Sequence, residues 1–205
     1  MKNIKVIAFD CDGVMFDTTQ ANTAFYNRIL QHFGKEPMSP DQFKFVHMHT
    51  PAESVAHILG DQDLIRAAEE YRKNVDYQPF IRLMEIEPGL KSLLKKLRGR
   101  YHTAIATNRA ETIHRVLAAH GLENDFDLVV NALDVKHPKP HPEQLLTILE
   151  HFKISAAQAL YVGDSPLDEA AARAAGVPFA AYDNRSLGAG LHIRHLRELE
   201  KILAV

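Results

Sequence analysis

Residues 4–9 form a short apolar run, Ile-Lys-Val-Ile-Ala-Phe, cut off by Asp10-Cys11-Asp12-Gly13. An apolar run of this length, ended by turn residues, predicts a buried strand followed by a tight turn. Everything else in the chain must supply the sheet that such a strand needs. The run is also too short for a signal peptide or a membrane span, and no later segment reaches spanning length.

The next region reads differently. Phe25, Ile29, Leu30 and Phe33 recur at helical spacing, with Gly34 placed to end the helix. Ser39-Pro40-Asp41-Gln42 and Thr50-Pro51-Ala52-Glu53 both fit the capping-box pattern with proline at the first helical position. The second of these helices runs to Gly60, and another carries Leu64, Ile65, Ala68 and Tyr71. No strand signal interrupts this stretch, so residues 17–86 are expected to be a small α-helical domain. His47, Met48 and His49 are expected in the loop between two of its helices.

From Pro88-Gly89 onward, strands and helices alternate. Strands are predicted over residues 102–106, 126–130, 159–162 and 178–182, the last taken as the final strand, with amphipathic helices between them. This alternation implies an α/β, Rossmann-like, doubly wound parallel sheet. Residues 1–16 and 87–205 then form one core domain, with residues 17–86 inserted after its first strand.

In an open parallel sheet, ligands bind beyond the carboxyl ends of the strands. Four polar clusters fall there or on the loops just beyond: Asp10-Cys11-Asp12-Gly13, Thr107-Asn108-Arg109, His137-Pro138-Lys139-Pro140 and Gly163-Asp164-Ser165. Clustered carboxylates repel one another unless a cation sits among them. Hard oxygen donors in small number suit Mg²⁺, which keeps waters and shares phosphate oxygens. Lys139 and Thr107 can bind the remaining phosphate oxygens, and a carboxylate can attack phosphorus to give an acyl phosphate. Residues i and i+2 of a strand point the same way, so Asp10 and Asp12 are expected to face one phosphoryl group.

In these segments the chain resembles the haloacid dehalogenase superfamily, specifically its phosphatases with a helical cap. The matching residues are Asp10-Cys11-Asp12-Gly13-Val14, Thr107-Asn108, Lys139-Pro140-His141-Pro142 and Gly163-Asp164-Ser165-Pro166-Leu167-Asp168, in the family's order. Within it, the chain resembles the phosphoglycolate-phosphatase-like group. The resemblance implies Asp10 as nucleophile and Asp12 as general acid/base. It implies Mg²⁺ held by the Asp10 carboxylate, the Asp12 backbone carbonyl and Asp164. Thr107 would orient the phosphoryl group, Lys139 would steady Asp10, and Asp168 and Ser165 would support the shell. Asn108, His47 and His49 are the candidates for contact with substrate. The implied activity is hydrolysis of a small organic phosphate monoester; the alternative is a sugar phosphomutase built on the same core. Dehalogenase relatives generally lack a carboxylate at the position of Asp12. A non-catalytic binding protein that kept the fold is the third reading.

Each residue also has a plainer reading. Asp before Gly is ordinary turn chemistry, Thr107-Asn108 and Asp164 suit helix caps, Lys139 suits a solvated loop, and Asp168 suits a first helical turn. Their joint order and placement favour the site. Among the 12 histidines, His137 and His141 lack the partners of a zinc site. Cys11, the one cysteine, is expected to be an inert filler and cannot form an internal disulfide. With a formal net charge of -2, the chain has no electrostatic reason to bind nucleic acid or an anionic membrane. A cytoplasmic monomer or homodimer is expected.

Overall fold

The computed structural model describes residues 3–205. In chain order its elements begin with strands β1 (Val6–Phe9) and β2 (Phe16–Asp17). Helices α1 (Thr19–His32), α2 (Pro40–Met48), α3 (Pro51–Leu59), α4 (Gln62–Asn74) and α5 (Gln78–Ile81) follow. Then come β3 (Glu85–Ile86), α6 (Leu90–Leu97), β4 (His102–Ala106), α7 (Ile113–Ala119), β5 (Leu128–Val130) and α8 (Glu143–Phe152). The chain ends with β6 (Ala159–Gly163), α9 (Pro166–Ala175), β7 (Phe179–Tyr182), β8 (Leu191–Ile193) and α10 (Glu198–Leu203).

Six strands form one sheet in the order β5-β4-β1-β6-β7-β8, every recorded pairing parallel. The fold is therefore the expected α/β, Rossmann-like one. β1 is central, and all four of its residues are buried. Val6 and Ala8 face one apolar cluster with Leu145 and Ile148 of α8 and Ala171 and Ala172 of α9. Ile7, Phe9 and Ile105 alternate to the other face, where α6 packs on β4.

The chain divides into two compact units, residues 1–16 with 86–205, and residues 17–85. The second is helical. Its α3 starts where Thr50 and Glu53 close a reciprocal capping box, with Pro51 in the first turn, and stops at Gly60, whose φ is +70°. β2 and β3 form a separate two-stranded sheet.

Two expectations need correction. β7 is not the last strand: β8 adds at the edge beside it, and α10 follows. Three residues after a Gly-rich lead-in leave too little periodicity for a sequence pattern to register. His47 and Met48 are not in a loop either, because α2 continues to Met48 and leaves only His49 before the Thr50 cap.

Candidate active site

Strand register builds the rim. Phe9 lies level with Ile105 of β4 and Val162 of β6. Asp10, Thr107 and Asp164 each stand one residue past the end of their strand, on three adjacent strands of the sheet. Lys139 comes from the loop between β5 and α8.

That loop is fixed by Asn108. Its amide donates to the Lys139 carbonyl at 2.9 Å and accepts from the Lys139 N–H at 3.0 Å. The Asn108 amide, the expected contact for substrate, is hydrogen-bonded on both its nitrogen and its oxygen to the Lys139 backbone. Gln144, fully buried in α8, donates to the Thr107 carbonyl at 2.7 Å and ties the β4 end to the same region.

Lys139 is almost wholly buried and has three oxygens in reach: Asp10 Oδ1 at 2.8 Å, Asp168 Oδ1 at 2.6 Å and the Tyr161 hydroxyl at 2.9 Å. Its contact to Asp10 is an ion pair without an aligned hydrogen bond, so Asp10 Oδ1 keeps unspent acceptor capacity. Burial disfavours the ammonium, but Asp10 and Asp168 outweigh it and the Lys139 pKa rises.

Asp168 explains why Lys139 stays in place. Fully buried, it accepts from the Ser165 N–H at 3.0 Å and the Ser165 hydroxyl at 2.5 Å on one oxygen, and meets Lys139 and Tyr161 on the other. Burial works against its charge, yet Lys139 and these donors hold its pKa below the ordinary value. Ser165, not Asp164, caps α9, so the plain cap reading of Asp164 does not hold. Tyr161, which reads in sequence only as a core strand residue, is part of this network. Its hydroxyl also lies 3.0 Å from the Ala106 carbonyl.

Asp10 and Asp164 are left as the acidic pair. Asp10, Asp164 and Asp168 each bring a carboxylate oxygen within 4.8 Å of the other two. Desolvation raises Asp10 to about 7, with Asp168 and Asp12 adding repulsion against the pull of Lys139. Desolvation also raises Asp164 well above the carboxylate range, helped by Asp168 and Asp10. Two carboxylates that resist carrying charge side by side fit a hard divalent cation as the missing partner. The approach is close: a Cβ on Gly13, whose φ is +82°, would lie 2.2 Å from Asp164 Oδ2. Glycine there serves both the turn and the contact.

The strand premise behind the expectation for Asp10 and Asp12 needs revision. β1 ends at Phe9, and the chain turns through Cys11–Met15 rather than continuing as a strand. The turn delivers the Asp12 carboxylate to Arg109, which donates to it through Nε at 3.0 Å and Nη2 at 2.5 Å. Arg109 had no assigned role in the sequence; its partner lies 97 residues away. Cys11 is buried, and burial together with Asp12 pushes its thiol pKa up, as suits a filler.

His47 and His49 belong to the helical unit. His49 lies flat on Phe45, with ring centroids 3.7 Å apart, and His57 stacks on the other side at 3.9 Å. His49 Nδ1 is also 2.9 Å from the Phe45 carbonyl. His47 stacks on Phe43 and lies 3.5 Å from Asn22 Nδ2. His137 and His141 do acquire a neighbour, Glu143. That carboxylate already accepts from the backbone of Lys136 and His137, so it clamps the loop at the start of α8.

Residues 7–182 match the haloacid dehalogenase-like hydrolase family. A phosphoglycolate phosphatase of Chromobacterium violaceum is 28% identical, covering 99% of this chain and 98% of that protein. A haloacid dehalogenase-superfamily hydrolase of subfamily IA from Geobacter sulfurreducens superposes with a TM-score of 0.80 at 39% identity, covering 98% of this chain and 97% of that one. A β-phosphoglucomutase from Clostridium difficile shares the fold with a TM-score of 0.86 at 21% identity, covering 98% and 96%. No helix among the described residues is long and apolar enough to cross a membrane. With its family model matched over most of its length, the chain belongs to the haloacid dehalogenase-like hydrolase family.

Proposed function

We propose that the protein hydrolyses a small organic phosphate monoester with Mg²⁺, through an aspartyl phosphate on Asp10. The observation that carries this is Asp10 itself: a carboxylate 7% exposed, at the end of the central strand, ion-paired to Lys139 and beside Asp164. An Asp10 oxygen attacks phosphorus, and the bond from phosphorus to the leaving oxygen breaks. Asp12 gives that oxygen its proton, then takes one from the water that attacks the phosphoryl group and releases Asp10. Thr107 and Lys139 bind phosphoryl oxygens as charge builds on them. Asp10, Asp164 and the Asp12 carbonyl would hold Mg²⁺, which supplies charge neutralisation at the phosphoryl group.

The name of the relative covering nearly the full chain makes phosphoglycolate the first substrate to test. His47 and His49 are the proposed specificity residues of the helical unit. Arg28, Lys44 and Arg66 are exposed cations there, of which Lys44 and Arg66 pair with Asp41 and Asp63. A sugar phosphomutase would use the same core and differ in transferring the phosphoryl group to a sugar hydroxyl. The test is phosphate release from a monoester panel with Mg²⁺, repeated with Asp10→Asn, where a loss on the order of 10⁴-fold or more is expected. Full activity in that variant would sink the mechanism; isomer interconversion without net phosphate release would favour the mutase.

A further inference from the structure

Arg109 is buried, with its side chain only 5% exposed, and is fastened at every point. Its N–H donates to the Thr107 hydroxyl at 3.1 Å, its carbonyl accepts from Ala132 at 3.2 Å, and Nη1 donates to the Thr112 hydroxyl at 2.9 Å. The remaining face of the guanidinium, Nε and Nη2, grips the two oxygens of Asp12. A guanidinium fork fixes the plane of a carboxylate, which a point charge such as lysine does not. Asp12 sits in a turn rather than in a strand, so nothing in β1 itself sets where its carboxylate points.

We infer that Arg109 is a positioning residue for Asp12: it holds the plane of the acid/base carboxylate so that an oxygen can be turned to the leaving group. This inference rests on the proposed role of Asp12 in proton transfer. The residue touches neither phosphorus nor leaving group in this scheme.

The leaving group supplies the test. Expulsion of an alkoxide needs a proton; expulsion of p-nitrophenolate hardly does. Well-placed general acids contribute about 10²–10⁴-fold. For an alkyl phosphate, kcat/KM of Arg109→Ala should fall roughly 10²-fold, and for p-nitrophenyl phosphate at least tenfold less, as in Asp12→Asn. Arg109→Lys, which keeps the charge without the fork, should lie between wild type and Arg109→Ala on the alkyl ester. Added guanidinium should restore part of the loss in Arg109→Ala. Circular dichroism and the thermal shift on adding Mg²⁺ establish that each variant is folded. Should Arg109→Ala not fold, Arg109→Lys and Thr112→Val carry the same comparison, the latter by removing the third tether. Equal losses on both esters, or no loss on either, would overturn the inference. Full alkyl-ester activity in Asp12→Asn would instead overturn the acid/base reading on which it rests.

Discussion

At the rim of the sheet, one ammonium lies within 2.8 Å of two buried carboxylates; in the helical unit, one phenyl ring lies between two imidazoles. Each arrangement contains residues that a sequence reading marks as functional, Asp10, Lys139 and Asp168 in the first and His49 in the second, yet they differ in what holds them. Lys139, Asp168 and Tyr161 are joined by charge-assisted bonds, and Asn108 ties the Lys139 loop from β4. His49, Phe45 and His57 are joined by stacking among residues close in the chain. Buried charge is costly unless each group keeps its partner, whereas a stacked ring is worth roughly 1 kcal/mol. A polar group at the rim cannot be changed without stranding another. One in the helical unit can.

The largest effect expected from this contrast is at Lys139. Lys139→Ala leaves Asp10 and Asp168 buried without their cation, and should lower metal-free stability by about 3–5 kcal/mol and turnover by roughly 10²–10³-fold. Urea unfolding with phosphate-release kinetics measures both; a stability change under about 1 kcal/mol would mean the rim charges are solvated after all.

Next comes the interplay of cation and proton. Desolvation raises Asp10 from 3.8 to about 7, so the native state keeps a proton that the unfolded chain releases across that window. The unfolded state then binds fewer protons, and metal-free stability falls as pH rises from about 4 to about 7. Asp164, also raised, acts in the same direction. Mg²⁺ competes with those protons, so its thermal shift should be larger at pH 8 than at pH 5.5. Equal shifts would place the cation away from Asp10 and Asp164.

The helical unit should respond less. His49→Ala removes one half of the Phe45 sandwich and should cost about 1 kcal/mol in urea unfolding with kcat unchanged. His47→Ala should be smaller still in stability and appear in KM, by roughly fivefold, about one hydrogen bond. A kcat loss at either histidine would erase the distinction between the two regions.

The contrast also accounts for what the sequence made legible. Asp10, Thr107 and Asp164 could be placed because each follows an apolar strand by one residue, and a parallel sheet brings such ends together. Helix starts at Ser39 and Thr50 were readable because capping is local. The partners were not. Nothing near Arg109 in sequence announces Asp12, and Tyr161 follows the apolar pattern of its strand while its hydroxyl serves Lys139. The turn at Gly13 was visible, but its effect on Asp12 was not: β1 stops at Phe9, and the Asp12 carboxylate meets Arg109.

The central claim is covalent, and it can be trapped. Wild-type protein turning over a labelled monoester with Mg²⁺, quenched in acid within milliseconds and digested, should yield phosphate on the peptide that contains Asp10. The label should be absent in Asp10→Asn and, with p-nitrophenyl phosphate as the monoester, should accumulate further in Asp12→Asn, where water attack lacks its base while the leaving group hardly needs an acid. Steady phosphate release with no label at any quench time, or label on a residue other than Asp10, would contradict the account.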